Sequence, residues 1–215
     1  MRRILLATVP LAVLLAAGWV QGGESQPIKL FNGKNLDGWT GYHRNGAKVE
    51  DVWYVKDGVL ICKGRPIGYL RTKAKYTNYI LELEWRFNPE KGPGNSGVLL
   101  RQIGPDKVWP KSVEAQLMHR NAGDFWNIDK FQMTVDPSRT KGRRTVKMKP
   151  SNEKPLGQWN HYRIVVDGDR IELYVNGELQ NVATNVAEVP GHICLQSEGA
   201  EIHFRNIVLT PLKKK

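Results

Sequence analysis

An all-β sandwich or barrel is the fold class this sequence predicts, and three observations predict it. Beyond the N-terminal leader no segment holds a 3.6-residue apolar period; short runs that alternate apolar and polar residues recur instead. Gly, Pro, Asn and Asp punctuate those runs, and several joints read as hairpin turns. With residues 1–23 set aside, about 190 residues remain, a length that suits one all-β domain and buries a core without disulfides or metals.

The elements follow in order. Arg2 and Arg3 open the chain, Ile4 to Val20 form an apolar stretch, and small residues with Gly22–Gly23 come next. This is the pattern of a cleaved secretory signal over 1–23, and it implies a secreted or periplasmic protein with no integral membrane span after cleavage. A retained anchor is the rival reading, because the apolar run approaches the ~20 residues a span needs. The mature domain is expected over 24–212, followed by a basic tail, 213–215. Strands are expected near 28–31, 52–56, 58–63 and 68–72, with the turn Lys56-Asp57-Gly58 joining the second and third. The next run, 77–87, contains YILELEWRF. There Tyr79, Leu81, Leu83, Trp85 and Phe87 share one face, and Glu82, Glu84 and Arg86 the other, since side chains alternate along a strand. Strands at 96–102 and 112–118 follow a Pro- and Gly-rich loop, Asn88–Asn95. In the second of them Val113, Ala115 and Leu117 oppose Glu114, Gln116 and Met118. The stretch Arg120–Arg144 reads as a long loop holding a strand over 131–135, with another strand at 144–148. A meander over 159–168, 170–176 and 178–182 turns at Val166-Asp167-Gly168-Asp169 and at Asn176-Gly177. Strands at 191–197 and 201–211 close the domain.

Composition excludes some classes of function. The formal charge is +11, but Arg2 and Arg3 leave with the signal and Lys213–Lys215 lie at the end. The runs KGRRTVKMK and KAK sit between strands without interleaved aromatics, so they do not form a nucleic-acid platform. A solvated basic face is the plain reading; attraction to acidic glycans or cell surfaces is the sharper one. Cys62 and Cys194 both lie in apolar runs, as two buried free thiols or, in an exported protein, a disulfide. No H-x-H, H-E-x-x-H or C-x-x-C spacing occurs, so no metal or other cofactor is expected; loop carboxylates and carbonyls leave Ca²⁺ conceivable. No G-x-S-x-G signals a nucleophilic serine.

The order of short motifs says more. LFNGKNLDGW (30–39), WYVKDGVL (53–60), LRTKAKYTNYILELEWRF (70–87), GNSGVLLR (94–101) and WPKSVEAQL (109–117) come first. GQWNHYRI (157–164), VNGEL (175–179), ICLQSEG (193–199) and IHFRNIVLTPL (202–212) follow. Together they resemble the 3-keto-disaccharide hydrolase domain family, across almost the whole mature chain. The resemblance implies a concanavalin A-like jelly-roll β-sandwich of two antiparallel sheets, and an exported enzyme acting on glycosides oxidised to a ketone at C3. Where other members often carry an Asp, this chain has Met118 or His119.

Such a ketone acidifies the hydrogen at C2. A base removes it, the C1 substituent leaves, and water adds to the resulting enone. The route needs a base near C2, a donor or cation for the enolate oxygen, and an acid for the leaving group. Glu114 is the first candidate base, and a salt-bridged carboxylate is its plainer reading. His119, at the entry to the long loop, is the rival, since an imidazole is a common general base. Arg101 ends a strand and suits an enolate through its planar fork; pairing with Glu84 or Glu114 is the alternative. Asp124 is a candidate for orienting His119 or ligating a metal, although an Asp in a Gly-Asp turn is usually an ordinary turn residue. The amides of Gln116 and Asn95 suit sugar hydroxyls, and Trp109 and Trp126 suit sugar stacking or core burial. The sequence therefore predicts a glycoside hydrolase or eliminase with a carbohydrate substrate. A non-catalytic carbohydrate-binding module on the same frame is the alternative, and a surface scaffold the third reading.

Overall fold

Period-2 alternation builds two sheets that share their apolar faces. The computed structural model describes residues 26–213; the signal expected over 1–23 and residues 214–215 of the tail lie outside the described residues. The first half of the chain gives β1 (Ile28–Lys29), β2 (Trp39–His43), a four-residue helix α1 (Val49–Val52), β3 (Trp53–Lys56), β4 (Val59–Cys62), β5 (Gly68–Thr72), β6 (Tyr79–Phe87), β7 (Gly97–Ile103) and β8 (Lys111–Gln116). The second half gives β9 (Phe125–Ile128), β10 (Thr140–Lys141), β11 (Arg144–Thr145), β12 (Asn160–Asp167), β13 (Arg170–Val175), β14 (Glu178–Ala183), β15 (His192–Ser197) and β16 (Ile202–Pro211).

One sheet runs β14-β13-β12-β6-β16-β4-β3, with β1 also paired to β16; the other runs β10-β11-β9-β8-β7-β15-β5-β2. Every pairing is antiparallel. Tyr79, Leu81, Leu83, Trp85 and Phe87 of β6 are all buried, as their alternation predicts, and they meet Val98, Leu100, Val113, Ala115, Ile193 and Leu195 of the facing sheet in one core. Each fully buried Leu, Ile, Val or Phe contributes about 1.5–3 kcal/mol relative to exposure, so this shared face dominates the favourable side of folding. The opposite face of β6 is structural: Glu84 accepts from Arg205 Nε at 2.8 Å and from Asn206.

Several elements differ from expectation: α1 and β10 were not foreseen, and the strand expected over 144–148 is confined to Arg144–Thr145. The strand β2 was hidden because its core side carries Gly41 and His43, which do not read as apolar; His43 is buried, and its Nε2 accepts from Trp53 Nε1 at 3.0 Å. The strand expected over 131–135 forms instead at Phe125–Ile128, where Phe125 is buried beside Ala115; Thr134 makes only an isolated bridge to Thr184. Cys62 and Cys194 are free and buried, and burial pushes the Cys62 thiol up to about 12. Among the described residues no helix is long and apolar enough to cross a membrane.

Candidate active site

The outer face of the second sheet carries the ionisable cavity. Along β8, Val113 and Ala115 enter the core, so Glu114 and Gln116 emerge on the other face. Antiparallel pairing sets Trp126 of β9 opposite Glu114, and Gly97 of β7 opposite Gln116. Gly97 is required here by space. A Cβ on it would collide with Gln196 Oε1 and would lie 2.6 Å from Glu114 Oε1. The missing side chain lets Gln196, from β15, reach Glu114.

Connections complete the ring. The segment after β15 brings Glu198, whose Oε1 accepts from Trp109 Nε1 at 3.3 Å; Trp109 comes from the β7–β8 loop. The β10–β11 turn brings Arg143, whose guanidinium lies 5.6 Å from the Trp126 ring centroid, a cation–π contact. Asn95 enters from the loop before β7. The resulting cavity, about 140 Å³, is lined by Asn95, Trp109, Glu114, Gln116, Trp126, Ile128, Arg143 and Glu198. Asn95 Oδ1, Trp126 Nε1 and Gln196 Oε1 are buried without a protein hydrogen-bond partner. Such atoms are uncommon in folded proteins, and these three lie around one cavity, while others occur elsewhere in the fold. Gln116 turns its Oε1 to the backbone N–H groups of Leu117 and Met118, each at 2.8 Å, which fixes the orientation of its amide.

Electrostatics single out Glu114. Burial, reinforced by the neighbouring Glu198 carboxylate, pushes it up to about 8, against the opposing pull of the Gln196 amide and Arg143. Glu198 is also raised, chiefly by burial, with the Trp109 hydrogen bond and Arg143 opposing. A carboxyl raised by burial and by a neighbouring carboxylate holds its proton into the neutral range, and a carboxyl of that kind is suited to proton transfer.

Of the eight residues predicted from the sequence, Glu114, Gln116, Asn95, Trp109 and Trp126 converge on this cavity; Arg101, Asp124 and His119 do not. Arg101 has φ 51°, and the β7–β8 register shifts between Leu100 and Ile103. This bulge re-aims the side chain. Its guanidinium is buried at the sandwich edge, donating to Gly168 O at 2.6 Å, Ala187 O at 2.7 Å, Thr77 O at 3.2 Å and Asn78 Oδ1 at 3.3 Å. The expected partners, Glu84 and Glu114, are not among them. Asp124 is wholly buried and accepts from Arg144 Nε at 2.8 Å and Lys147 N at 2.9 Å, so it orients the hairpin rather than His119. His119 pairs with Glu153 at 3.6 Å and meets the Phe87 ring edge-on. Sequence reasoning missed Glu198, Gln196 and Arg143. The alternation of Ile193, Leu195 and Gln196 in ICLQSEG was a signal for Gln196; nothing local marked the other two. Among the described residues no cluster of three or more His, Cys, Asp or Glu is arranged to hold a metal ion.

These features define a concanavalin A-like jelly roll with an acidic cavity on one sheet face. Residues 26–210 match the family described as a 3-keto-alpha-glucoside-1,2-lyase-like domain, and the chain belongs to that family. It is 28% identical over 155 residues to a 3-keto-disaccharide hydrolase from Bacteroides thetaiotaomicron, a match covering 65% of this chain and 52% of that protein. The chain thus spans about half the length of that curated relative. A provisionally assigned glycosyl hydrolase from Parabacteroides distasonis shares the fold with a TM-score of 0.65 at 22% identity, over 87% of this chain and 94% of that one. A carbohydrate-binding module from Bacillus subtilis does so at 0.57 and 16% identity, over 79% and 93%. The β-glucanase of Bacillus licheniformis does so at 0.60 and 14% identity, over 90% and 100%.

Proposed function

We propose that this protein cleaves glycosides oxidised to a ketone at C3 of the sugar, with Glu114 as the proton-transfer residue. The observation that carries this reading is a buried carboxyl pushed up to about 8 inside a small polar cavity. The family match and the hydrolase from Bacteroides thetaiotaomicron support the substrate class.

In the proposed route the Glu114 carboxylate takes the proton from C2, and the electron pair moves into the C3 ketone to give an enolate. Arg143, the cation that lines the cavity, fills the role first given to Arg101 and balances the enolate oxygen. The pair then returns to form the C1–C2 double bond as the C1–O bond breaks. Glu114 hands its proton to the departing oxygen, and the products are an enone and the free aglycone. Addition of water across the double bond makes the net reaction a hydrolysis. Asn95 and Gln116 hold hydroxyls, and Glu198 keeps Glu114 basic by like-charge repulsion.

The sign of the pH dependence separates roles. Glu114 is ionised only as pH rises through about 8, so a base at this position gives activity that climbs across that range and levels above it. A group acting first as an acid gives the opposite slope. The test is aglycone release from a chromogenic 3-keto-glucoside, by wild type and Glu114→Gln. Release that rises with pH and collapses in the variant is expected; undiminished release by the variant would sink the assignment. The likeness to a carbohydrate-binding module favours a second reading, in which the sugar binds and no aglycone is released. The leader-like residues 1–23 support export as the setting, and fractionation of cells that make the full chain checks it.

A further inference from the structure

Next to the acidic cavity, and sharing Trp109, Ile128 and Arg143 with it, lies a cleft of about 910 Å³. A volume near the upper end of ligand pockets, beside a cavity with room for little more than one ring, is where the C1 substituent of a seated sugar would extend. Its floor is apolar, with Ile128 and Met133, and Trp109 stands at its edge with 42% of its surface exposed. Its cations are Arg44, Lys107, Lys130 and Arg143, and its one acidic side chain, Asp129, is held by Lys107 at 2.7 Å. Among the described residues Arg44 and Lys130 form no ion pair, and both are exposed. The aromatic edge suits a flat ring; the excess of cations over the single acidic side chain suits an anion.

Resting on the reading of Glu114 as the reacting carboxyl, we propose that this cleft is a leaving-group subsite for an aromatic aglycone bearing an acidic group, a carboxylate or a sulfate. Trp109 stacks on the ring, and Arg44 and Lys130 receive the charge. The same cations repel a cationic aglycone, so the cleft selects by charge as well as by shape.

Binding without turnover tests this directly. The probes are 4-carboxyphenyl α-D-glucopyranoside and its methyl ester, neither of which carries the C3 ketone. Titration of the full chain by calorimetry is expected to give the carboxylate about fivefold tighter binding at low salt, the upper range for an exposed ion pair. Added salt narrows the gap, and the double variant Arg44→Gln/Lys130→Gln abolishes it. Equal affinities in the wild type, a preference that survives in the double variant, or no binding of either probe overturns the subsite. The 3-keto forms of the same glycosides test the reaction separately. A charge preference in binding with no aglycone released from them would break the reading of Glu114 and leave the subsite standing.

Discussion

Glu114 and Asp124 are buried carboxyl side chains flanking the same β8–β9 pair, and their surroundings are opposite. Asp124 meets a guanidinium and a backbone N–H in good hydrogen-bond geometry. Glu114 meets a second carboxylate and an amide, with its nearest cation stacked on a tryptophan. Arg101 and Arg143 repeat the contrast: the first donates through both terminal nitrogens to carbonyl oxygens, and the second lies at a cavity mouth. Burial alone therefore does not mark chemistry. What distinguishes the cavity is that its ionisable groups are left unmatched, a condition that costs stability and that a purely structural site would relieve.

The largest expected effect breaks or upholds that contrast outright. Glu114→Gln should lower turnover of a 3-keto-glucoside by about 10²–10⁴-fold, the usual worth of a general base, with the urea midpoint held or raised. Asp124→Asn should instead cost about 3 kcal/mol of stability, since it removes one partner of a buried ion pair. An Asp124→Asn protein that stays stable and inactive would reverse the two roles. Next in size, Arg101→Met leaves several backbone carbonyls without donors and should cost about 2–4 kcal/mol in denaturant titration. Arg143→Met should change stability by less than about 0.5 kcal/mol and act on kcat.

A third test follows stability against pH. Glu114 binds its proton more tightly folded than unfolded, so its contribution is complete below the ordinary value of 4.5 and is lost as pH rises through about 8. Glu114→Gln removes that loss. The stability advantage of the variant should grow between pH 5 and pH 9, to the order of a few kcal/mol. The smallest effect sharpens the picture within the cavity. Glu198→Gln deletes a charge that raises Glu114, so the midpoint of the pH–activity curve should move down; an upward move would mean that Glu198 does not act on Glu114 by its charge.

Much of the sandwich was legible because alternation exposes it. The buried face of YILELEWRF and the opposition of Val113 and Ala115 to Glu114 and Gln116 follow from period 2 alone. Elements that break the pattern were not legible. β2 packs Gly41 and His43 inward, and β9 has four residues that follow turn-forming ones. The orientation of Arg101 depends on a bulge with a positive φ at an arginine, which no propensity anticipates. The site was half visible for a related reason. Glu114 and Gln116 sit on one strand, whereas Gln196 and Glu198 reach them only through the β8-β7-β15 order, a long-range pairing that local sequence does not encode.

Strands supply Glu114, Gln116 and Gln196, while connections supply Trp109, Glu198 and Arg143. Lengthening or trimming the segment between Ile103 and Lys111 would remodel the mouth of the cleft and leave the position of the Glu114 carboxyl untouched, since loops accept insertions that paired strands do not. The architecture thereby separates heritable change in what is accepted from change in what is done to it. One scaffold can diversify its diet without relearning its reaction.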